Sequence, residues 1–375
     1  MRPLTLLAAA SAAVLAGTTI GIPAAHAAAD PRPTVLATGL TSPLRVAVAN
    51  ARTIYVSQNN NGVITKVTPG KRPVTVFKAK GVEVGALSVS DGTLTFGTTP
   101  LSSEPSDRRK PGRKHARHRV PTVHNTKSAA VYRLTPKGKV TKLADIGAFE
   151  AANNPDGSVE YGVTDLSSDC AAQWPTDSLG PVTHMGEAFS HPYGSTRIGR
   201  TTYLDDAGAN DIDAISPSGA VHVVAVLPPS QLTITSELAQ GAGAPDCAVG
   251  HVLYGEPVPT DIEAHDGMLY VTTLGGGLGE QLPLGALYRI DPKTGATTQL
   301  AGGLWAPVGL AVTKGGAAYV SSLFGNEIDK IPAGGGTATK VVTERMPAEV
   351  EIFGNRLYAT IGAVAPKAKL ISLRY

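Results

Sequence analysis

The stretch TTYLDDAGANDIDAISPSG, residues 201–219, decides the fold, because its pattern recurs along the chain. Each copy has a strand-like segment centred on a tyrosine, then a turn of Asn, Asp, Ser or Gly, then a second strand-like segment. The tyrosines that share this position are Tyr55, Tyr203, Tyr270, Tyr319 and Tyr358. A sixth copy, GTLTFGT from residue 92, has Thr95 in their place. Six copies of a multi-strand unit predict a six-bladed β-propeller.

Composition agrees with an all-β chain. The 375 residues include 42 Gly and 28 Pro, and short segments rich in Val, Ile, Thr and Tyr separate them. Such segments favour strands joined by tight turns. We therefore expect residues 28–375 to form a single propeller domain.

The two ends of the chain predict how the ring closes. TVLATGLTSP, residues 34–43, has the wording of the outer strand and link TTQLAGGLWAP at 297–307, whereas the C-terminal KLISLRY ends one strand short of a full unit. We predict that residues 34–38 supply the fourth strand of the last blade. Closure in this way leaves no blade with an open edge.

The acids of DDAGAND, residues 205–211, allow two interpretations, a turn or a metal site. The equivalent segments in other copies are SQNNNG and SSLFGNE, and hairpin turns favour Asn, Asp and Gly for their backbone preferences. The spacing also departs from the calcium loop D-x-[DN]-x-[DN]-G, because Ala207 and Ala209 stand where ligands belong. We interpret the segment as a turn.

Three phrases resemble a known family. HPYGSTRIGRTTYLDDAGANDI (191–212), FEAANNPDG (149–157) and PTDIEAHDGMLYVTTLGGG (259–277) are similar to the ScyD/ScyE family of exported proteins. That family is related in appearance to NHL-type propellers and to virginiamycin B lyase. The resemblance covers most of residues 34–375 and implies an exported six-bladed propeller without implying a reaction.

The start of each blade's first strand predicts a candidate site at the mouth of the central channel. The position two residues after the proline of each repeat holds three glycines and three charged residues, Arg45, Asp261 and Glu349. Two hypotheses stay open. Asp261 and Glu349 hold a calcium or magnesium ion or a substrate hydroxyl, or Arg45 neutralises them in a structural network. His191, on the same side, is a further binding candidate with acid/base capacity.

Long segments between blades are where binding sites usually lie. Residues 147–190 and 228–257 are predicted inter-blade loops, and they carry the two cysteines, Cys170 and Cys247. We predict one disulfide between them. It either holds a binding surface or only stabilises the fold, and the two roles are compatible.

The insertion at 98–127 is strongly basic, with eight Lys or Arg against two acidic residues within 101–127, while the whole chain carries +3. The rest of the chain is therefore mildly acidic. We expect this loop to be disordered, with a weak polyanion contact through 107–119 as the functional alternative.

The N-terminal segment 1–27 has one arginine, an apolar run and a small-residue AHA end, which predict a signal peptide; its glycines, threonines and proline argue against a membrane anchor. We expect a secreted or periplasmic monomer without a transmembrane span. Its expected role is to bind a small molecule or a protein on the loop-bearing face. The alternative is a lyase or lactonase-type hydrolase at the channel mouth.

Overall fold

The structure, a computed structural model, describes residues 33–101, 120–121 and 128–375. Its strands form four-stranded antiparallel sheets. Five of these sheets each consist of four strands in chain order, and we call each of them a blade. Blade one contains β2 (Arg45–Asn50), β3 (Thr53–Gln58), β4 (Val63–Val67) and β5 (Val74–Lys78); blade two contains β6 (Val82–Ser90), β7 (Thr93–Pro100), β8 (Ala130–Leu134) and β9 (Val140–Asp145).

The next three blades repeat this order. Blade three contains β12 (Pro192–Ile198), β13 (Thr201–Asp206), β14 (Asp211–Ile215) and β15 (Val221–Val226); blade four contains β18 (Pro259–His265), β19 (Met268–Thr273), β20 (Gly285–Ile290) and β21 (Thr297–Leu304); blade five contains β22 (Pro307–Val312), β23 (Ala318–Ser322), β24 (Glu327–Ile331) and β25 (Thr339–Thr343). The sheets pack through apolar faces, as between blades one and two, where the ring centroids of Phe77 and Phe96 lie 4.5 Å apart.

The last blade joins the two ends of the chain. It contains β26 (Val350–Phe353), β27 (Arg356–Ile361), β28 (Ala368–Arg374) and β1 (Thr34–Leu40). Strand β1 pairs antiparallel with β28, from Thr34 opposite Ser372 to Leu40 opposite Ala368. The predicted closure is confirmed, and the closing strand runs two residues beyond 38.

The first strands of the six blades contact one another in cyclic order, β2, β6, β12, β18, β22, β26 and back to β2. This closed order surrounds a central channel, so the predicted all-β propeller is confirmed. The repeat is also in register, because each tyrosine of the pattern lies on the second strand of its blade; Tyr55, for example, pairs with Ala47.

The two segments predicted as inter-blade loops are instead built together into a further sheet. Its order is β11–β10–β17–β16, so the two strands from 147–190 pair with the two strands from 228–257 through β10 and β17, in one structure that we call the cap. The cap strands are β10 (Glu160–Gly162), β11 (Thr183–Met185), β16 (Ser230–Thr233) and β17 (Val252–Gly255). With strands of three or four residues, the sequence carries too little periodicity to reveal them.

In the described residues, the helices lie in the cap segments and in a few turns. The α-helices are α1 (Ile146–Asn153), α2 (Ser168–Ala171), α3 (Thr176–Leu179) and α4 (Ser236–Ala242), and the 3₁₀ helices are Asn59–Asn61, Asp246–Ala248 and Gly277–Glu280. None of these helices has the length and apolar character needed to cross a membrane.

Two predictions fall largely outside the described residues: the signal peptide at 1–27, and most of the basic insertion at 98–127. At the start of that insertion, β7 continues to Pro100, so residues 98–100 belong to blade two.

Candidate functional site

Arg45 lies at the centre of the ring, and its side chain is 1% exposed. Its Nη1 is 2.9 Å from Asp261 Oδ1 and 2.5 Å from Glu349 Oε2. Its Nη2 donates to the carbonyl oxygens of Val308, at 2.7 Å, and Thr260. The three charged residues that the sequence placed together are therefore in direct contact.

Burial and the neighbouring charges compete in setting the pKa values of this network. Although burial acts against the charged guanidinium, Glu349 and Asp261 raise the pKa of Arg45 above its ordinary value. Burial and the charge of Asp261 raise the pKa of Glu349, and Arg45 opposes that shift. Of the two hypotheses for this position, the geometry matches the structural network, because the guanidinium occupies the place between the two acids that a cation would need.

Beyond Arg45 the channel contains a cavity of about 240 Å³. Four carboxylates line it: Asp261 and Glu349, and then Glu263 and Glu351, each two residues further along the chain. Burial, together with the charge of Glu351, raises the pKa of Glu263, and burial with the charge of Asp261 raises the pKa of Glu351 to about 8.

Sequence reasoning missed Glu263 and Glu351, although a signal for them existed. Alternate residues of a strand face the same side, so the position two after Asp261 and Glu349 also faces the channel. Both glutamates pair with a tyrosine of the repeat, Glu263 with Tyr270 and Glu351 with Tyr358.

His191 forms an ion pair with Glu83 rather than with Asp261 or Glu349. Its Nε2 is 3.2 Å from Glu83 Oε2. Burial acts against the imidazolium, but the hydrogen bond and charge of Glu83 raise the pKa of His191 above its ordinary value. Glu83 occupies the repeat position that holds proline in the other blades, so this pair joins blades two and three.

The cap forms a groove of about 520 Å³ that we call the cap groove. Most of its lining is apolar, and the principal side chains are Trp174, Leu179, Leu232, Leu238, Leu253 and Leu284. Leu284 comes from blade four, so the groove lies where the cap meets that blade. His184 and Glu256 add polar groups to the same lining.

The cap has a small core of its own, closed by the predicted disulfide. Cys170 and Cys247 are bonded, with their Cα atoms 5.9 Å apart, and they join the two cap segments across a sequence separation of 77. Cys170 packs with Val163, Ile234 and Ala239. The prediction of this disulfide is confirmed.

The DDAGAND segment is the predicted hairpin turn between β13 and β14, but its acids are all buried. Asp206 has a turn role, because its Oδ1 accepts hydrogen bonds from the backbone N–H groups of His191, Gly208 and Ala209. Asp205 lies on the opposite face of β13 and accepts from the Gly194 N–H. Turn geometry therefore accounts for Asp206, but it does not account for the buried carboxylate of Asp211.

Asp211 belongs to a buried group of carboxylates that we call the acid cluster. Its members, each 2% exposed or less, are Glu150, Asp156, Asp206, Asp211 and Asp213. Burial, followed by the charges of neighbouring carboxylates, raises the pKa values of Asp211 and Asp213 well above the ordinary value. The same causes raise the pKa of Glu150 to about 7.

The fold and the site define the chain as a β-propeller protein with an elaborated cap. No protein-family model matches it, and no curated protein matches it. Among solved structures, a protein of unknown function from Bacteroides thetaiotaomicron matches with a TM-score of 0.53 and 11% identity, over 91% of this chain and 72% of the other. The PQQ-bound aldose sugar dehydrogenase of Streptomyces coelicolor matches with a TM-score of 0.50 and 12% identity, over 91% and 96%.

Virginiamycin B lyase from Staphylococcus aureus also matches, with a TM-score of 0.45 and 15% identity, over 88% of this chain and 80% of the other. The matches with TM-scores of 0.50 and 0.53 show a common fold, and at such low identities they carry no activity from one protein to another.

Proposed function

We propose that the protein is a secreted propeller of the ScyD/ScyE type that binds a small amphipathic organic molecule in the cap groove. The observation that carries this proposal is the groove itself, a concave and mainly apolar space of about 520 Å³. Ligand sites in proteins typically measure about 300–1,000 Å³ and combine an apolar lining with a few polar groups.

The groove's side chains suggest what kind of molecule fits. Trp174 and several leucines supply apolar contact, whereas His184 and Glu256 offer polar partners within the same lining. Burial raises the pKa of Glu256, and the charge of His184 opposes that shift. An aromatic or alicyclic molecule with a polar group at one edge matches this distribution.

Export fits the same proposal. A disulfide joins the two cap segments that form the groove, and disulfides persist in oxidising compartments. We propose that segment 1–27 directs secretion, that the protein acts as a monomer, and that the 107–119 segment at most adds weak polyanion contact.

A second candidate function has an observation of its own. Glu263 and Glu351 line the channel cavity. Neither of them takes part in an ion pair within the described residues. A carboxyl group with a pKa near 8 is protonated at neutral pH and can act as a general acid. A lyase or lactonase-type hydrolase would therefore work in this cavity, and Arg45, Asp261 and Glu349 would fix its geometry.

The dye 1-anilinonaphthalene-8-sulfonate (ANS) tests the binding proposal. The chain has two tryptophans, so Trp305→Phe leaves Trp174 in the groove as the single tryptophan donor for energy transfer to the bound dye. We expect saturable energy transfer, and Leu232→Asp should weaken dye binding at least about tenfold by placing a charge in the lining.

Phe353→Asp is the matched control, because Phe353 is an apolar residue 41% exposed on blade six, outside the groove lining. The Phe353→Asp variant should bind the dye with the same affinity as the Trp305→Phe protein in which it is made. Equal loss in both variants, or no saturable transfer in the parent, would contradict binding in the cap groove. Lactone hydrolysis lost in Glu351→Gln but kept in Leu232→Asp would favour the enzyme instead.

A further inference from the structure

The acid cluster combines residues from two separate parts of the sequence. FEAANNPDG supplies Glu150 and Asp156, and the β13–β14 hairpin supplies Asp206, Asp211 and the nearby Asp213. A hydrogen bond joins the two sides directly, since Asn210 Nδ2 donates to Asp156 Oδ2 at 2.9 Å. The Tyr161 hydroxyl donates to the same oxygen at 3.2 Å.

Several oxygens in this cluster are buried without a hydrogen-bond partner. Asp211 is 1% exposed, and neither of its carboxylate oxygens has a hydrogen-bond partner among the described residues. Within the described ranges, partners are also lacking for one carboxylate oxygen of each of Glu150, Asp156 and Asp213, and for the amide oxygen of Asn154, two residues before Asp156. Burial of an ionised carboxylate is costly unless it is paired or binds a metal, so these oxygens require an explanation.

No basic side chain in the described part of the chain provides that explanation. Every charged neighbour that shifts the pKa of Asp211, Asp213 or Glu150 is another carboxylate. None of the ion pairs found in the described part of the chain includes a member of the cluster. Asp261 and Glu349 differ from the cluster in this respect, because both form ion pairs with Arg45.

We propose that the acid cluster binds a hard divalent cation of the calcium type, with Asp211 and Asp213 as its principal ligands. The groups without partners are all carboxylate or amide oxygens, the donors that calcium prefers, and no sulfur or imidazole nitrogen stands among them. The number of carboxylates exceeds what magnesium usually takes from protein, which favours calcium.

The backbone places the ligands together, and the side chains complete the site on binding. Asp206 lies directly opposite Asp211 in the β13–β14 ladder, and Asp213 follows on the same face. Within the described ranges no three acidic, His or Cys side chains are already gathered as a metal centre. Since no hydrogen bond from the described residues holds the Asp211 carboxylate, a turn of this side chain toward a cation would break none.

The first test uses the wild-type protein. After treatment with EDTA and its removal, we expect calcium chloride to raise the melting temperature by roughly 3–6 °C, with a smaller rise for magnesium chloride. Terbium, which replaces calcium at oxygen sites, should emit on tyrosine excitation, and Tyr161→Phe should reduce that emission because its hydroxyl contacts Asp156.

Asp211→Asn and Asp205→Asn form a matched pair, since both acids are buried in the same hairpin but face opposite sides of the sheet. In EDTA, Asp211→Asn should melt at or above the wild-type temperature, because one repelling charge is gone, and calcium should no longer raise it. Asp205→Asn should keep the wild-type calcium shift.

The proposal fails if the wild type shows neither a calcium or magnesium shift nor saturable terbium emission. It also fails if the calcium shift survives Asp211→Asn and disappears in Glu349→Gln, which would move the site to the channel. If Asp211→Asn does not fold, the terbium titration of the wild type and of Tyr161→Phe decides. The groove experiment with ANS is independent of all these results.

Discussion

At the scale of single residues, Arg45 shows how one side chain can join most of a ring. It belongs to blade one, pairs with Glu349 beside blade six and Asp261 of blade four, and donates to the Val308 carbonyl of blade five. Its guanidinium carbon also lies 4.4 Å from the ring centroid of Tyr193 in blade three. A buried charge network of this kind makes the loss of one partner expensive, because the others are left unpaired.

Arg45→Ala should therefore lower the free energy of unfolding by about 3–5 kcal/mol, measured by urea denaturation. The exposed Arg52→Ala is the control and should change stability by less than about 0.5 kcal/mol. Arg45→Met combined with Glu349→Gln should be less damaging than the sum of the single changes, since the pair leaves fewer uncompensated charges. Strict additivity would contradict the network.

The raised pKa of Glu351 predicts that the free energy of unfolding falls as the pH rises. Its folded pKa of about 8 exceeds the ordinary value of 4.5, so the folded state favours the protonated form. The associated stability is fully present below pH 4.5 and is lost as the pH rises toward 8. Because the cavity admits water, we expect the loss to be about 1–3 kcal/mol.

Glu351→Gln should remove much of this decline, so that its unfolding free energy varies less between pH 5 and pH 8 than that of the wild type. The exposed Glu160→Gln should keep the wild-type profile. If the profiles of wild type and Glu351→Gln run parallel across this range, the carboxyl of Glu351 titrates at its ordinary pKa.

At the scale of elements, β1 is the strand that completes the last blade. Ala37 and Leu40 on this strand are buried in one apolar cluster with Val46 and Ile54 of blade one and Leu370 of β28. The strand therefore supplies both the ladder to β28 and part of the packing between the last blade and the first.

Deletion of residues 34–38 should lower the free energy of unfolding by about 3 kcal/mol or more, through lost ladder hydrogen bonds and lost burial of Ala37. Val35→Thr is the control at the same strand, because Val35 is 49% exposed and its replacement should cost little. Unchanged urea denaturation of the truncated protein would show that β1 contributes nothing to closure.

At the scale of the whole molecule, the sequence could predict what repeats and could not predict what occurs once. The tyrosine register and the closing strand follow from comparison of one copy with another. Among the sheets of the described residues, the cap has no second copy. Its strands β10 and β17 pair through Gly162 opposite Tyr254, although about ninety residues separate them along the chain.

The acid cluster escaped prediction for a related reason. Turns and metal sites use the same residue types, so DDAGAND alone could not reveal that Asp211 is buried. The fold alone brings Glu150 and Asp156, which precede Asp211 by some fifty residues or more, next to Asp211. The buried carboxylates at this place are therefore far more concentrated than the hairpin sequence by itself indicates. Arg45, Asp261 and Glu349 were predictable together because they occupy equivalent positions in the repeat.

This division between ring and cap leads to the last prediction. The ring is closed by its own strands, whereas the cap has a small core and the Cys170–Cys247 disulfide. Replacement of both cysteines by serine removes a covalent link that contributes on the order of 4 kcal/mol. We expect hydrogen exchange to rise in β10, β16 and β17 and to stay unchanged in the blade strands, because local opening follows the least-supported part of a structure.

The same variant should bind ANS more weakly, since Trp174 and Leu253 of the groove pack on the core that the disulfide closes. Wild-type protein treated with a thiol reagent after denaturation without reductant is the chemical control, and it should show no free thiol. If exchange rises equally in ring and cap, the two parts unfold as one unit. In that case the disulfide stabilises the whole propeller and does not specifically hold a binding surface.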